Sequence, residues 1–287
     1  MISGSFEYHR PKSLDEAVGL LDQHGDDARV VAGGHSLIPM MKLRMAMLDH
    51  LIDLQAIDGL KGVREEGGNL LIGAMTTQSE LIADPTLAAK CPIMAETALQ
   101  IADPQVRYCG TIGGNVANGD PGNDMPALMQ ALDATYIAQG PNGTREIAAR
   151  VFYEAVFFTA LQDNEIITAV RIPTPPDGHG HAYEKQKRKI GDYATAAAAV
   201  LLTMSGGRCA TAAIALTNVG DTPLYAEDAA AALIGTAVDA AAIDRAVALA
   251  EGIASPAADA RGPVDFRTKL AGVMVRRAIA RALERAA

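Results

Sequence analysis

The chain has 287 residues, 49% of them apolar and 21% charged, so it is globular material rather than a disordered or fibrous polymer. That length suits one large domain or two to three small ones. A net charge of −9 argues against a polyanion such as nucleic acid as the main ligand, because neutralising phosphates needs a basic face.

Aromatic residues are scarce, with 5 Phe, 7 Tyr and no Trp, so aliphatic side chains and methionine must fill the core. No run of about 18 or more apolar residues occurs, so no membrane-spanning helix is predicted. The first residues, MISGSFEYHRPKSLDEAV, lack the apolar stretch of a secretory signal. Three widely spaced cysteines, Cys91, Cys109 and Cys209, argue against a disulfide scaffold and fit a reducing cytoplasmic setting. They also exclude a four-cysteine iron–sulfur cluster within this chain, so any such cluster belongs to a partner.

In chain order, Ser13-Leu14-Asp15-Glu16 has the capping-box pattern. The spacing of Leu14, Ala17, Val18, Leu20 and Leu21 then predicts a helix that Gly25 ends. Arg29–Ala32 reads as a short strand running into Gly33-Gly34. Further strands are predicted at Leu51–Leu54 and Leu70–Ala74. Thr77-Gln78-Ser79-Glu80 repeats the capping pattern before a short helix. Pro92 opens another through about Leu99, with Ala95, Ala98 and Leu99 as its small-residue face. Residues 108–125, rich in glycine, asparagine and aspartate, read as an extended loop, with a helix from Pro126 to Leu132 beyond it.

Residues 134–172 look β-rich, with strands at Ala134–Ala138, Glu146–Ala148 and Glu165–Ile172. Thr174-Pro175-Pro176-Asp177-Gly178 is the clearest linker and sets the expected boundary between a unit of residues 1–177 and one of 178–287. After it, His181–Lys187 reads as a strand and Ala194–Met204 as a buried strand or helix. Ser205–Arg208 is a turn, and Cys209–Thr217 pairs back as a hairpin. Helices are predicted at 226–234, 239–252 and 264–285. The last carries Arg276, Arg277, Arg281 and Arg285, expected as a solvated basic end that suits the helix dipole.

Two glycine-rich segments hold the chemical interest. One is Ala32-Gly33-Gly34-His35-Ser36-Leu37, directly after a strand; the other is Thr111-Ile112-Gly113-Gly114-Asn115. Paired glycines let the backbone reach positive φ and come close to a ligand, and successive main-chain N–H groups then form a concavity for a pyrophosphate. Ser36, Thr111 and Asn115 add side-chain donors. Neither segment is a GxxxxGK[ST] phosphate loop or a GxGxxG dinucleotide fingerprint, and either alone would be an ordinary turn.

Asp124 is either a helix N-cap or a carboxylate that accepts ribose hydroxyls. The basic run 185–189 resembles a solvated face, but it adjoins Tyr193, which is either a ring over a planar cofactor or a core tyrosine. His35 reads as a backbone-supporting or ligand-lining residue. His179 and His181 read as exposed linker histidines, and no metal site is expected because no ligand set stands at metal spacing.

The segments AGGHS at 32–36 and TIGGN at 111–115 resemble the paired FAD signatures of the flavoprotein subunits of the molybdenum hydroxylases. This family includes the medium subunits of aerobic carbon monoxide dehydrogenases and the FAD domains of xanthine dehydrogenases. The likeness runs from FEYHRPKSLDEAV through GDPGNDMPALMQ and RKIGDYATAAAAV to GPVDFRTKLAGVMVRRA, and it is strongest to the carbon monoxide dehydrogenase branch.

The resemblance implies an α+β protein with an FAD-binding fold of the vanillyl-alcohol-oxidase type. Two α/β subdomains, about 1–54 and 55–177, would be followed by a C-terminal α+β domain. Non-covalent FAD would be held by Ala32, Gly33, Gly34, His35, Ser36 and Leu37 and by Thr111, Ile112, Gly113, Gly114 and Asn115. Asp124 would take the ribose, with Lys185, Tyr193 and Ile101 near the isoalloxazine. Molybdopterin would sit in a large partner subunit and [2Fe–2S] clusters in a small one, in a dimer of heterotrimers that is cytoplasmic or peripheral at the inner membrane face. Electrons would leave through FAD to an external acceptor, with no catalytic residue of this chain acting on the primary substrate. A self-contained FAD oxidoreductase and a non-enzymatic cofactor-binding or assembly protein are the alternatives.

Overall fold

The computed structural model describes residues 2–286. Its first layer is a small parallel sheet of β1 (Glu7–His9), β2 (Ala28–Val31) and β3 (His50–Asp53), in the order β1-β3-β2. Helix α1 (Leu14–His24) crosses between β1 and β2, and the short α2 (Leu37–Lys42) follows β2. The N-cap of α1 forms half of the expected capping box. Ser13 accepts from the Glu16 N–H, but the Glu16 carboxylate accepts from Lys12 N–H at 2.8 Å instead of from Ser13. Ala17, Val18 and Leu21 on one helix face are buried, as the spacing requires.

The second layer is an antiparallel five-stranded sheet. It is built from β4 (Val63–Glu66), β5 (Asn69–Gly73), β6 (Thr135–Gly140) and β7 (Gly143–Ala148). A small hairpin, β8 (Tyr153–Ala155) with β9 (Phe158–Thr159), precedes the central strand β10 (Ile166–Pro173). The helices α3 (Gln78–Ala83), α4 (Pro85–Lys90), α5 (Ile93–Gln100), α6 (Pro104–Cys109), α7 (Ile112–Ala117) and α8 (Asp124–Ala131) lie between β5 and β6.

Two expectations change here. Residues 108–125 are not one extended loop, because Thr111 caps a helical turn by accepting from the Gly114 N–H, and α8 starts at Asp124. The packed face of α5 is Ile93, Met94, Thr97 and Ala98, while Leu99 is exposed. The β8–β9 hairpin was not legible in the sequence.

The third layer is the antiparallel sheet β11 (Gly180–Gln186), β12 (Ala196–Ser205), β13 (Arg208–Thr217) and β14 (Leu224–Tyr225). The helices α9 (Glu227–Ala231), α10 (Ala240–Ile253) and α11 (Val264–Arg285) complete the chain. Of residues 194–204, open between strand and helix in the sequence, 196–204 are strand because both faces are covered. Ala197 and Ala199 join the core beneath α5 and α8, while Ala196, Ala198, Val200 and Leu202 join the core beneath α10 and α11. Alanine lets both layers come close. Helix α11 approaches β11 so tightly that a Cβ on Gly180 would lie 2.0 Å from the Ala282 carbonyl oxygen.

The basic end of α11 is not merely solvated. Arg281 bonds Glu184 at 2.5 Å, Arg285 bonds Glu96 at 2.6 Å and the His181 carbonyl at 2.8 Å, and Arg276 bonds Asp244. These contacts tie α11 to β11, α5 and α10. His181 is half-buried beneath them, and burial lowers its pKa; His179 is partly buried too, so the exposed-linker expectation fails for both.

Candidate functional site

A cleft of about 870 Å³ opens between the three layers, within the size range of ligand sites. The bend after β2 forms one wall. Val31 ends the strand, Gly34 takes φ +71°, and the chain turns into α2 with Ser36 at its N-cap. The main-chain N–H groups of Gly34, His35 and Ser36 donate to no protein acceptor among the described residues. Three consecutive open donors at a turn form an anion-binding concavity.

The second bend meets the first. A Cβ on Gly33 would lie 2.2 Å from the Cys109 carbonyl oxygen and 2.8 Å from Gly110 Cα, so the two backbones touch there. Gly33 is therefore needed for closeness, and Gly34 alone of the two for positive φ.

The second bend is not an open cradle of amides. Ile112 N–H donates to Thr76 O, Gly113 N–H to Ala74 O, Gly114 N–H to Thr111 Oγ1 and Asn115 N–H to Thr111 O. Residues 110–113 run along 74–78 in strand-like fashion, with the Gln78 N–H returning to Gly110 O at 2.9 Å; this pairing consumes the Ile112 and Gly113 donors, and Thr111 takes those of Gly114 and Asn115. What remains open is side-chain chemistry. Asn115 Oδ1 is buried without a partner, and so are both amide atoms of Gln78, which also lines the cleft.

Of the residues expected at the site, Ile112 alone stays off the cleft wall. Its side chain is fully buried in the core because it faces inward from α7. Ala32, Leu37, His35, Thr111, Gly113 and Gly114 line the cleft.

Ile101 and Tyr193 line it from different domains. Ile101 is 8% exposed, whereas Tyr193 is 42% exposed and shows part of its ring to the opening. The Gly191 turn adjoins Ala102, since a Cβ on Gly191 would sit 3.8 Å from the Ala102 carbonyl. Burial of the Tyr193 hydroxyl end, with Asp120 and Asp124 nearby, pushes its pKa up to about 12, so the phenol stays neutral.

Asp124 is not the N-cap of α8; Asn123 holds that position. The Asp124 carboxylate, 4% exposed, accepts from Tyr183 Oη at 2.6 Å on Oδ1 and from Lys185 Nζ at 2.7 Å on Oδ2. Lys185 also donates to Gln100 O at 3.2 Å. The basic run at 185–189 is thus split, with Lys185 buried and Lys187 bonded to Gln100 Oε1 at 3.0 Å. Both Asp124 and Lys185 reach the cleft wall.

Sequence reasoning missed Gln78, Asn118, Asn123 and Phe157, all on that wall. Gln78 carried a signal, a polar residue just inside a predicted cap, but not the information that its amide would be buried without a partner.

Residues 4–175 match the family model described as FAD binding domain in molybdopterin dehydrogenase. Residues 181–282 match that described as CO dehydrogenase flavoprotein C-terminal domain. The chain is 64% identical over 286 residues to the carbon monoxide dehydrogenase medium chain of Afipia carboxidovorans, covering 100% of this chain and 99% of the relative. It is 49% identical over 287 residues to that of Hydrogenophaga pseudoflava, with 100% of both covered. Among solved structures it matches a chain of reconstituted CO dehydrogenase from Oligotropha carboxidovorans with a TM-score of 0.99 at 64% identity, covering 100% of each. A chain of quinoline 2-oxidoreductase from Pseudomonas putida 86 matches with a TM-score of 0.94 at 35% identity, covering 99% of each.

Proposed function

The chain belongs to the FAD-binding flavoprotein family of the molybdopterin dehydrogenases, and on that premise we propose that it is the medium, electron-transferring subunit of an aerobic carbon monoxide dehydrogenase. In this reading a large subunit holds molybdopterin, a small subunit holds [2Fe–2S] clusters, and the assembly is a dimer of heterotrimers. Bound FAD would supply the redox chemistry that links those clusters to an external acceptor. The domain boundary falls at the Pro-rich segment, with FAD binding in 1–177 and the flavoprotein C-terminal unit in 178–287.

The residues present fit that group. Gly34, His35 and Ser36 offer open main-chain donors for the pyrophosphate, and Thr111, Asn115 and Gln78 offer side-chain groups beside it. No lysine is needed at the phosphates, so the acidic net charge is no obstacle. Ile101 supplies an apolar surface and Tyr193 an aromatic one for a planar ring system. Lys185 fixes a positive charge near that end of the cleft, and Asp124 holds the lysine in place.

The observation that carries this reading is the meeting of two glycine bends on one cleft wall, with open amides on one and unpartnered amide side chains on the other. The test begins with purification of the chain with its copurifying partners, followed by acid release of bound flavin. FAD should be released, and anaerobic carbon monoxide should bleach the flavin absorption of the intact complex. A complex without releasable FAD overturns the flavoprotein role. A flavin that responds only to an N-heteroaromatic substrate leaves the family standing and overturns the carbon monoxide assignment.

A further inference from the structure

We propose that His9, His24 and His50, together with Glu7, form a binding site for a divalent transition-metal ion of the zinc class, at the end of the first sheet away from the Gly33–Gly34 bend. The sequence holds six histidines, and three of them converge here from positions far apart in the chain. His9 ends β1, His24 ends α1 and His50 starts β3. One ring nitrogen from each lies within 4.8 Å of the others, and all three side chains are partly buried.

The arrangement follows from the topology. Strands β1 and β3 are parallel neighbours, with Glu7 opposite His50. Glu7 and His9 are two residues apart and share a sheet face. Helix α1 closes the crossover, and its last residue, His24, stacks on His50 with ring centroids 3.6 Å apart. His9 Nε2 stands 3.0 Å from His50 Nδ1, and Glu7 Oε2 lies 3.6 Å from the same nitrogen. Metal–nitrogen bonds of 2.0–2.1 Å in a tetrahedral site place ligand atoms about 3.4 Å apart, so these separations already approach coordination spacing.

Imidazole donors favour zinc, copper, nickel or cobalt over magnesium or calcium, which prefer oxygen. The C-terminal end of α1 turns its carbonyl dipoles toward the same point and suits a cation. Glu7 is 68% exposed and free to swing in as a fourth ligand, while the His24 ring, now stacked on His50, would turn to bring its nitrogen to the ion. An ion held there would clamp β1, α1 and β3 together. The flavin bend lies at the far end of β2, so the ion would act on the stability of this unit and not on electron transfer.

The full-length chain, stripped with a chelator, is titrated with Co²⁺ and then with competing Zn²⁺. We expect one ion per chain, visible ligand-field absorption from bound Co²⁺, displacement by Zn²⁺, and a rise in thermal midpoint on loading. Binding should fall at least tenfold in His24→Gln and in His9→Gln and persist in His179→Ala. X-ray absorption of the zinc-loaded wild type gives a readout that needs no variant, with scattering from three imidazoles expected. No binding at micromolar metal, unchanged affinity in both ligand variants, or a sulfur-dominated zinc shell overturns the site.

Discussion

Lys185 Nζ lies 2.7 Å from Asp124 Oδ2, and the two side chains are 1% and 5% exposed. The pair joins β11 of the C-terminal sheet to the first turn of α8, whose residues are all buried. Tyr183, on the same strand and the same face, donates to the other carboxylate oxygen. Two domains are therefore latched by one carboxylate whose oxygens are both engaged, beside the cleft that would take the flavin ring.

Removing one partner of this pair leaves a buried charge. Lys185→Met should cost about 3–5 kcal/mol, the usual penalty for orphaning one half of a buried ion pair. The double variant Lys185→Met with Asp124→Asn removes both charges and should recover a large part of that loss. Denaturant unfolding of wild type, single and double variants measures the coupling. A loss in the double variant equal to the sum of the Lys185→Met and Asp124→Asn losses would show that the two charges do not depend on each other. Lys185→Met should also weaken flavin retention, because the positive charge at that end of the cleft is gone.

The glycines separate closeness from conformation. Gly33→Ala should abolish FAD retention and lower the thermal midpoint, because the new Cβ collides with the Cys109 carbonyl oxygen, a backbone atom that cannot move aside alone. Gly34→Ala should be milder, at roughly 1–2 kcal/mol for a non-glycine residue in the left-handed region. Gly19→Ala is the control. That residue is exposed in α1 with nothing within 4 Å of the added methyl, so it should stabilise by about 0.5–1 kcal/mol and leave FAD content unchanged. The order of flavin content across the three variants checks the argument.

These examples show where the sequence was readable. Strand and helix positions followed from periodicity and caps, as at Ser13, Thr77 and the Gly33-Gly34 break. Both glycine segments singled out in the sequence lie on the cleft wall. Hydrogen-bond accounting was not readable. Nothing local to TIGGN says that residues 74–76 will take the Ile112 and Gly113 amides, since that pairing is a contact between segments more than thirty residues apart. The partners of Asp124, fifty-nine and sixty-one residues away, were hidden for the same reason, as was the convergence of His9, His24 and His50.

His181 makes part of the stability depend on pH. Burial, then the Arg285 charge, lowers its pKa below the ordinary histidine value, against a smaller opposite effect of Glu96. The unfolded chain therefore binds a proton at a higher pH than the folded chain does. Stability from this group is fully present above the unfolded value of about 6.5 and is lost as pH falls below it. His181→Asn should flatten that part of the curve relative to wild type. Thermal midpoints of both proteins between about pH 5 and 8 measure the difference, and parallel curves would show that His181 carries none of it.

Arg267 holds the C-terminal domain's approach to the cleft. It is 3% exposed, and burial lowers its pKa. Its guanidinium donates to the carbonyls of Thr195, Ala257 and Asn218, three separate segments. Thr195 stands two residues after Tyr193, and Asn218 donates to the Ala194 carbonyl at 2.5 Å, so Arg267 holds both the segment and its Asn218 anchor, alongside the Thr195 N–H bond to Gln186 O and the Arg188–Asp192 pair. A lysine ammonium is a compact charge that cannot reproduce the planar fork. Arg267→Met should cost roughly 3 kcal/mol or more, because three carbonyls lose their donor in a buried place. Arg267→Lys should cost less but still release the Tyr193 segment. Its folded fraction at room temperature should match wild type while bound FAD per chain falls severalfold. Full FAD occupancy in Arg267→Lys would show that the anchoring of Tyr193 does not depend on the guanidinium.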